Sequence, residues 1–252
     1  MLSARLFGGL ELAFKRFQIA VIHLILQTTD IPILIDLVFI KYDMGGFEMK
    51  RRNQKVLYLV ELAMLVALVV VLQIFGGFFK IGTFSLSLVL IPIVIGSILL
   101  GAKGGAILGG VFGLVVVIQC ATGIDPGGAI LIAVNPFLTV LLCMLKGIAA
   151  GFVPGVIYRA IIKKNQESHA RMAVASVLAA VSAPVVNTGI FIIGLSTCFN
   201  STLIEWAGGT NALVYIITGL VGVNFLIELC VNIVVAPAIS TIIKVATKNI
   251  TR

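Results

Sequence analysis

Five polar side chains, Gln73, Gln119, Lys146, Asn187 and Glu228, stand inside stretches of sequence that are otherwise almost uncharged, each in a different stretch. Lys146 brings a cation, Glu228 a carboxylate, and each carboxamide both a donor and an acceptor. An ionisable group in an apolar span is costly and faces a cavity or a partner. Two chemistries follow. In one, Lys146 and Glu228 pair with each other, and the amides tie helices together by hydrogen bonds of about 0.6 kcal/mol each. In the other, the groups line a pocket open to the outside, where Lys146 meets an anionic or carbonyl group and the amides orient the ligand.

Depth favours the pocket. A helix rises 1.5 Å per residue, so Gln73 lies ~27 Å from Lys55, Gln119 ~24 Å from Lys103, Lys146 ~26 Å from Lys163, Asn187 ~24 Å from Arg171 and Glu228 ~24 Å from Lys244. The polar groups therefore share one level, in the outer half of a membrane. Asn224, Glu228 and Asn232 also repeat at i, i+4 and i+8, which sets them on one helix face.

The elements that must position these groups are membrane helices. Of the 252 residues, 60% are apolar and 11% charged, against about a quarter charged in soluble domains. A bilayer span needs about 20 apolar residues, and spans are expected over Leu57–Phe75, Ser85–Leu100, Gly104–Cys120, Pro136–Tyr158, Ala173–Leu195 and Ala212–Val235. The predicted fold is all-α, a six-helix transmembrane bundle over residues 49–252, because a backbone amide in hydrocarbon must be paired within its own helix.

Basic residues set the orientation. Lys50, Arg51, Arg52 and Lys55 precede the first span, Lys103 sits in the second connection, Arg159, Lys163, Lys164 and Arg171 lie in the fourth, and Lys244, Lys248 and Arg252 close the chain. The opposite connections hold Lys80, Asp125 and Glu205. This asymmetry predicts cytoplasmic termini and an even number of spans in the cell membrane. The net charge of +8 is thus topological. The Arg159–Arg171 segment lacks the aromatic interleaving of a nucleic-acid surface, so no nucleic-acid partner is expected.

Cys120, Cys143, Cys198 and Cys230 form no CxxC or Cys/His cluster, and His23 and His169 are far from other ligands; no metal, cofactor or disulfide frame is expected. A Ser/His, paired-Asp or His/Glu constellation is missing from the spans, which argues against an intramembrane enzyme.

Residues 1–48 read differently. The apolar run from Phe17 to Ile40 is interrupted by Thr28, Thr29, Asp30, Pro32 and Asp36, and a buried Asp costs about 3 kcal/mol even on a lenient insertion scale. Codons for Gly45-Gly46 can spell a ribosome-binding GGAGG shortly before the codon of Met49. Residues 1–48 are therefore expected to be translated leader, with Met49 the start; a disordered or interfacial extension is the alternative.

Two connections have the composition of lids. Gly76 to Phe84 combines glycines with Phe78, Phe79, Lys80 and Phe84, which suits a gate whose aromatics cover a ring or chain. Thr122 to Gly128, continuing to Asn135-Pro136, is turn-rich and then apolar, a pattern that can dip back into the membrane. Glycines at 101, 104, 105, 109, 110 and 113, and at 147, 151 and 155, predict close helix contacts.

Taken in order, a basic N-terminus, Ala63-Met-Leu-Val-Ala67, the run from Ile91 to Ala106 and Lys146-Gly-Ile-Ala-Ala-Gly151 before a basic connection resemble the substrate-binding S component of energy-coupling factor (ECF) transporters. The resemblance covers Met49 to Arg252. It implies a protein that captures a water-soluble vitamin from outside and has no ATP site of its own; the chain has no G-x-x-x-x-G-K-[ST] loop. It further implies that Ala63 and Ala67 dock on a transmembrane coupling subunit driven by two ATPases. Lys146 suits an acidic or carbonyl-rich vitamin such as pantothenate or a folate, and Phe78, Phe79 and Phe84 a flat ring such as riboflavin's. The rival reading is a stand-alone secondary transporter, which would show repeats and broken helices at an ion site.

Overall fold

In a computed structural model, the described residues are 54–76, 80–81, 84–85, 89–162, 169–209, 211–216, 222, 224–234 and 236, all in the unit Asn53–Arg252. The expected leader, Phe78 and Phe79 lie outside them. The elements are α1 (Gln54–Gly76), β1 (Lys80–Ile81), β2 (Phe84–Ser85), α2 (Leu90–Leu99), α3 (Gly101–Thr122), α4 (Pro126–Val134), α5 (Pro136–Ile162), α6 (His169–Cys198), α7 (Asn200–Ala207), α8 (Ala212–Tyr215) and α9 (Asn224–Val234).

Four helices among the described residues are long and apolar enough to cross a membrane, beginning at Tyr58, Gly101, Pro136 and Ala170. Within the second and sixth expected spans the described residues show shorter apolar helices, and the rest of each span lies partly outside the described residues. Helix α2 has 10 residues, or ~15 Å of rise, half a hydrocarbon core, and α9 is likewise a shorter apolar helix. Ahead of α2, residues 80–81 and 84–85 are extended: β1 and β2 pair antiparallel, Lys80 with Ser85 and Ile81 with Phe84. The fold is thus a helical membrane protein with one two-residue hairpin, and the lid-like Gly76–Phe84 connection contains that hairpin.

Local sequence explains the breaks. Gly101 has φ 84° and separates α2 from α3; Gly123, at φ 77°, ends α3. A left-handed residue of this kind is tolerated where there is no Cβ. At Gly101 the absence of a side chain does a second thing, since the Arg159 guanidinium occupies the space a Cβ would take. In the third connection Pro126 stands in the first turn of α4 and Asp125 Oδ1 accepts from the Gly128 amide at 3.4 Å, the N-terminal signature of proline and an acidic cap. The apolar part of that connection is thereby a short helix packed on α3 and α5.

The largest contact is between α3 and α5, and it is made of backbone. A methyl at Gly109 would strike the Gly147 carbonyl oxygen, one at Gly105 the Gly151 carbonyl oxygen, and one at Gly113 would sit 2.8 Å from the Cys143 carbonyl oxygen. The glycines of the two helices therefore meet as an antiparallel ladder. Ser97 of α2 donates to the Gly151 carbonyl oxygen at 2.7 Å, so α2 closes onto the same seam. Around it lie Leu108, Phe112, Ile93, Val94 and Ala150, all fully buried. Helix α1 is the outlier: 17% of its span is buried, against 50% for α3. Its outer face is bare.

Candidate functional site

Most polar groups inside the spans satisfy themselves. Thr122 donates to Ile118 O, Thr139 to Asn135 O, Ser176 to Met172 O and Thr197 to Ile193 O, each at 2.7–2.9 Å. A hydroxyl bonded to the preceding turn of its own helix needs nothing from a ligand.

The two glutamines answer each other. Gln73 Nε2 donates to Gln119 Oε1 at 2.8 Å, and Gln119 Nε2 donates to the Gln73 carbonyl oxygen at 3.0 Å. The second bond fixes the orientation of both amides: a backbone carbonyl can only accept, so the Gln119 nitrogen must face it and its oxygen must face the Gln73 nitrogen. Both residues are buried, 3% and 4% exposed. They tie α1 to α3, as the interhelical reading of these residues expects.

On α9, Asn224, Glu228 and Asn232 are all buried, so the i, i+4, i+8 stripe does face the protein. Asn232 Nδ2 donates to the Glu228 carbonyl oxygen at 2.8 Å, which again orients its amide and leaves Oδ1 without a hydrogen-bond partner among the described residues.

The seam between α5 and α6 combines an amide acceptor, unpaired among the described residues, with a cation. Its register is set by Leu142, whose side chain packs on Gly194, and by Lys146, whose ammonium lies over the Phe191 ring, 4.8 Å from its centroid. Phe191 has no signal in the sequence beyond its spacing of four from Asn187, which could have marked it. Asn187 and Phe191 are i, i+4 neighbours on one face of α6. Asn187 is 7% exposed, and its Oδ1 has no hydrogen-bond partner among the described residues. Leaving such an acceptor unmade costs about 1–3 kcal/mol.

A lysine at the centre of a span costs about 2.5–3.5 kcal/mol on the lenient scale, while an aromatic face returns up to ~2 kcal/mol when desolvated. Phe191 therefore offsets part of the cost of Lys146, and an anion would offset the remainder. Lys146 thus brings a cation to this seam and Asn187 an amide acceptor.

A cavity of about 330 Å³ lies on another face of α6, lined by Val185, Thr188, Gly189, Ile192, Ile216, Gly222 and Phe225. At 100° per residue its α6 residues sit far around the helix from Asn187 and Phe191, so none of the expected site residues lines it. Among the remaining expected residues, Lys80 is placed by its backbone at the start of β1, and Ala63 and Ala67 are exposed one turn apart on α1.

Long apolar helices with polar groups gathered inside them define a polytopic helical membrane protein. Within that class, the chain belongs to the substrate-specific components of ECF transporters, whose family model matches residues 57–240. It is 27% identical over 199 residues to the pantothenic acid transporter PanT of Lactococcus lactis subsp. cremoris (strain MG1363), an alignment covering 75% of this chain and 94% of that protein. Membership makes it a membrane transport protein for vitamin uptake, working with an ECF module, and not an enzyme.

Proposed function

We propose that this chain is the pantothenate-binding S component of an ECF importer. The observation that carries the choice of vitamin is the similarity to PanT over nearly that protein's whole length. The Lys146 ammonium in a membrane span supports it, because pantothenate is a carboxylate, whereas riboflavin offers no formal charge to a cation. In this reading Lys146, Asn187, Asn224, Glu228 and Asn232 line the ligand site, the Phe78-Phe79-Lys80 connection is its gate, and Gln73 with Gln119 tie the scaffold beside it. The bundle has six spans with both termini in the cytoplasm of the cell membrane, and Met49 to Arg252 is the binding domain.

The bare face of α1 supports docking. Ala63 and Ala67 present a small, flat, exposed surface flanked by Val60, Met64 and Leu68, which lets another helix approach closely. The partner is a transmembrane coupling subunit powered by two ATPases.

Thermal unfolding of the purified protein with pantothenate, riboflavin or folate tests the cargo. A ligand at 100 times its Kd adds about 2.7 kcal/mol, so pantothenate alone raises the melting temperature; a shift with riboflavin instead overturns the assignment. Ala63→Trp combined with Ala67→Trp abolishes energised uptake in proteoliposomes holding the coupling subunit and ATPases, and leaves pantothenate affinity unchanged. Uptake by the chain alone in liposomes would replace the ECF mechanism with secondary transport.

A further inference from the structure

Resting on the pantothenate reading, we infer that the α5–α6 seam holds one defined end of the ligand: the carboxylate on Lys146, the amide N–H on Asn187 Oδ1, and the methylenes between them against the Phe191 ring.

Three observations place these groups together. The Lys146 ammonium touches the Phe191 face. Phe191 and Asn187 lie four residues apart on one helix, which separates them by ~6 Å along its axis. Asn187 Oδ1 is buried without a hydrogen-bond partner among the described residues, so it requires a donor that the neighbouring protein groups do not give. The seam thus demands an anion at one point and an N–H or O–H donor about a turn away.

An N-acyl β-amino acid meets both demands. Its carboxylate carbon and its amide nitrogen are separated by two methylenes, roughly 4 Å by ordinary bond lengths, and two hydrogen bonds of ordinary length span the remaining offset. Phe191 is a positioning residue here. In the empty site its ring holds the ammonium at the height the carboxylate will take, and in the filled site the ring lies along the apolar methylenes.

The test uses two probes, pantothenate and pantothenol, which differ in carrying a carboxylate or a neutral hydroxymethyl at this end. Binding of both to the full chain is measured by calorimetry. The wild-type protein prefers pantothenate; Lys146→Met lowers its affinity on the order of 10- to 100-fold, as for loss of a charged hydrogen bond, and moves that of pantothenol less than about 3-fold. Lys146→Arg retains the preference. Asn187→Leu weakens both probes alike, by about 5- to 10-fold, since both keep the amide N–H. Phe191→Leu narrows the preference and Phe191→Tyr restores it, which a role in packing alone would not do. Equal loss of both probes in Lys146→Met, or a wild type that binds pantothenol as tightly as pantothenate, overturns the assignment of Lys146 while leaving the vitamin reading standing. If Lys146→Met does not fold, the wild-type comparison of the two probes decides alone. A wild type that binds neither probe overturns the vitamin reading and this inference with it.

Discussion

Helix α5 makes two seams, and adjacent residues belong to different ones. Gly147 faces α3, where its carbonyl meets Gly109; Lys146 faces α6, where its ammonium meets Phe191. The α3 seam is closed to backbone distance and has no room for an added methyl. The α6 seam keeps side chains between the helices, and with them an amide acceptor that has no hydrogen-bond partner among the described residues. In lipid, apolar burial gives helices little reason to associate, so close packing and hydrogen bonds must hold them. One seam is closed by backbone, and in the proposed reading the other carries the groups that a ligand satisfies.

Breaking the closed seam should have the largest effect on stability. Gly109→Ala drives a methyl into the Gly147 carbonyl oxygen, a backbone atom that moves only if the helices part, and should cost about 3 kcal/mol. Unfolding in detergent by heat or denaturant measures it; a wild-type midpoint would mean that the ladder is looser than described. Gly194→Ala sharpens the contrast. Its methyl meets the end of the Leu142 side chain, which can rotate away, so about 1 kcal/mol is expected. Equal costs at the two glycines would remove the distinction between the seams.

The smallest effect belongs to the glutamine pair. A double-mutant cycle of Gln73→Leu and Gln119→Leu should return a coupling of about 0.6 kcal/mol, the usual size for a hydrogen bond between membrane helices. A coupling indistinguishable from zero would show that the α1–α3 tie does not act as a pair.

Much of this was legible in the sequence for a physical reason. Hydropathy marks spans directly, because hydrocarbon selects apolar side chains along the whole helix length, and four of the expected spans appear as long helices. Glycine spacing of four residues announced the ladder, since 3.6 residues per turn stacks such positions on one face. The hairpin was not legible: Ser85 opens an apolar run and reads as the start of a span, yet it pairs with Lys80 across the β1–β2 ladder. For the polar layer, counting residues from the basic belts put Gln119 and Lys146 at one height, and the structure separates them. Gly109 of α3 stands against Gly147 of α5 and Gly105 against Gly151, so Lys146 lies level with Gly110, ~13 Å along the axis from Gln119. The belt residues counted from do not lie in one plane, so a depth counted on one helix does not transfer to another. Direction differs too, since the glutamines face each other and Lys146 faces an aromatic ring.

The sequence by itself determined that this is a helical membrane protein and which residues are costly to bury, because composition is a one-dimensional quantity. Tertiary structure alone decided which buried groups find each other. Gln73 and Gln119 bond to each other, while Gln73 Oε1 and Asn187 Oδ1 keep no hydrogen-bond partner among the described residues, because hydrogen bonding depends on orientation within a fraction of a turn and on the register between helices distant in the chain.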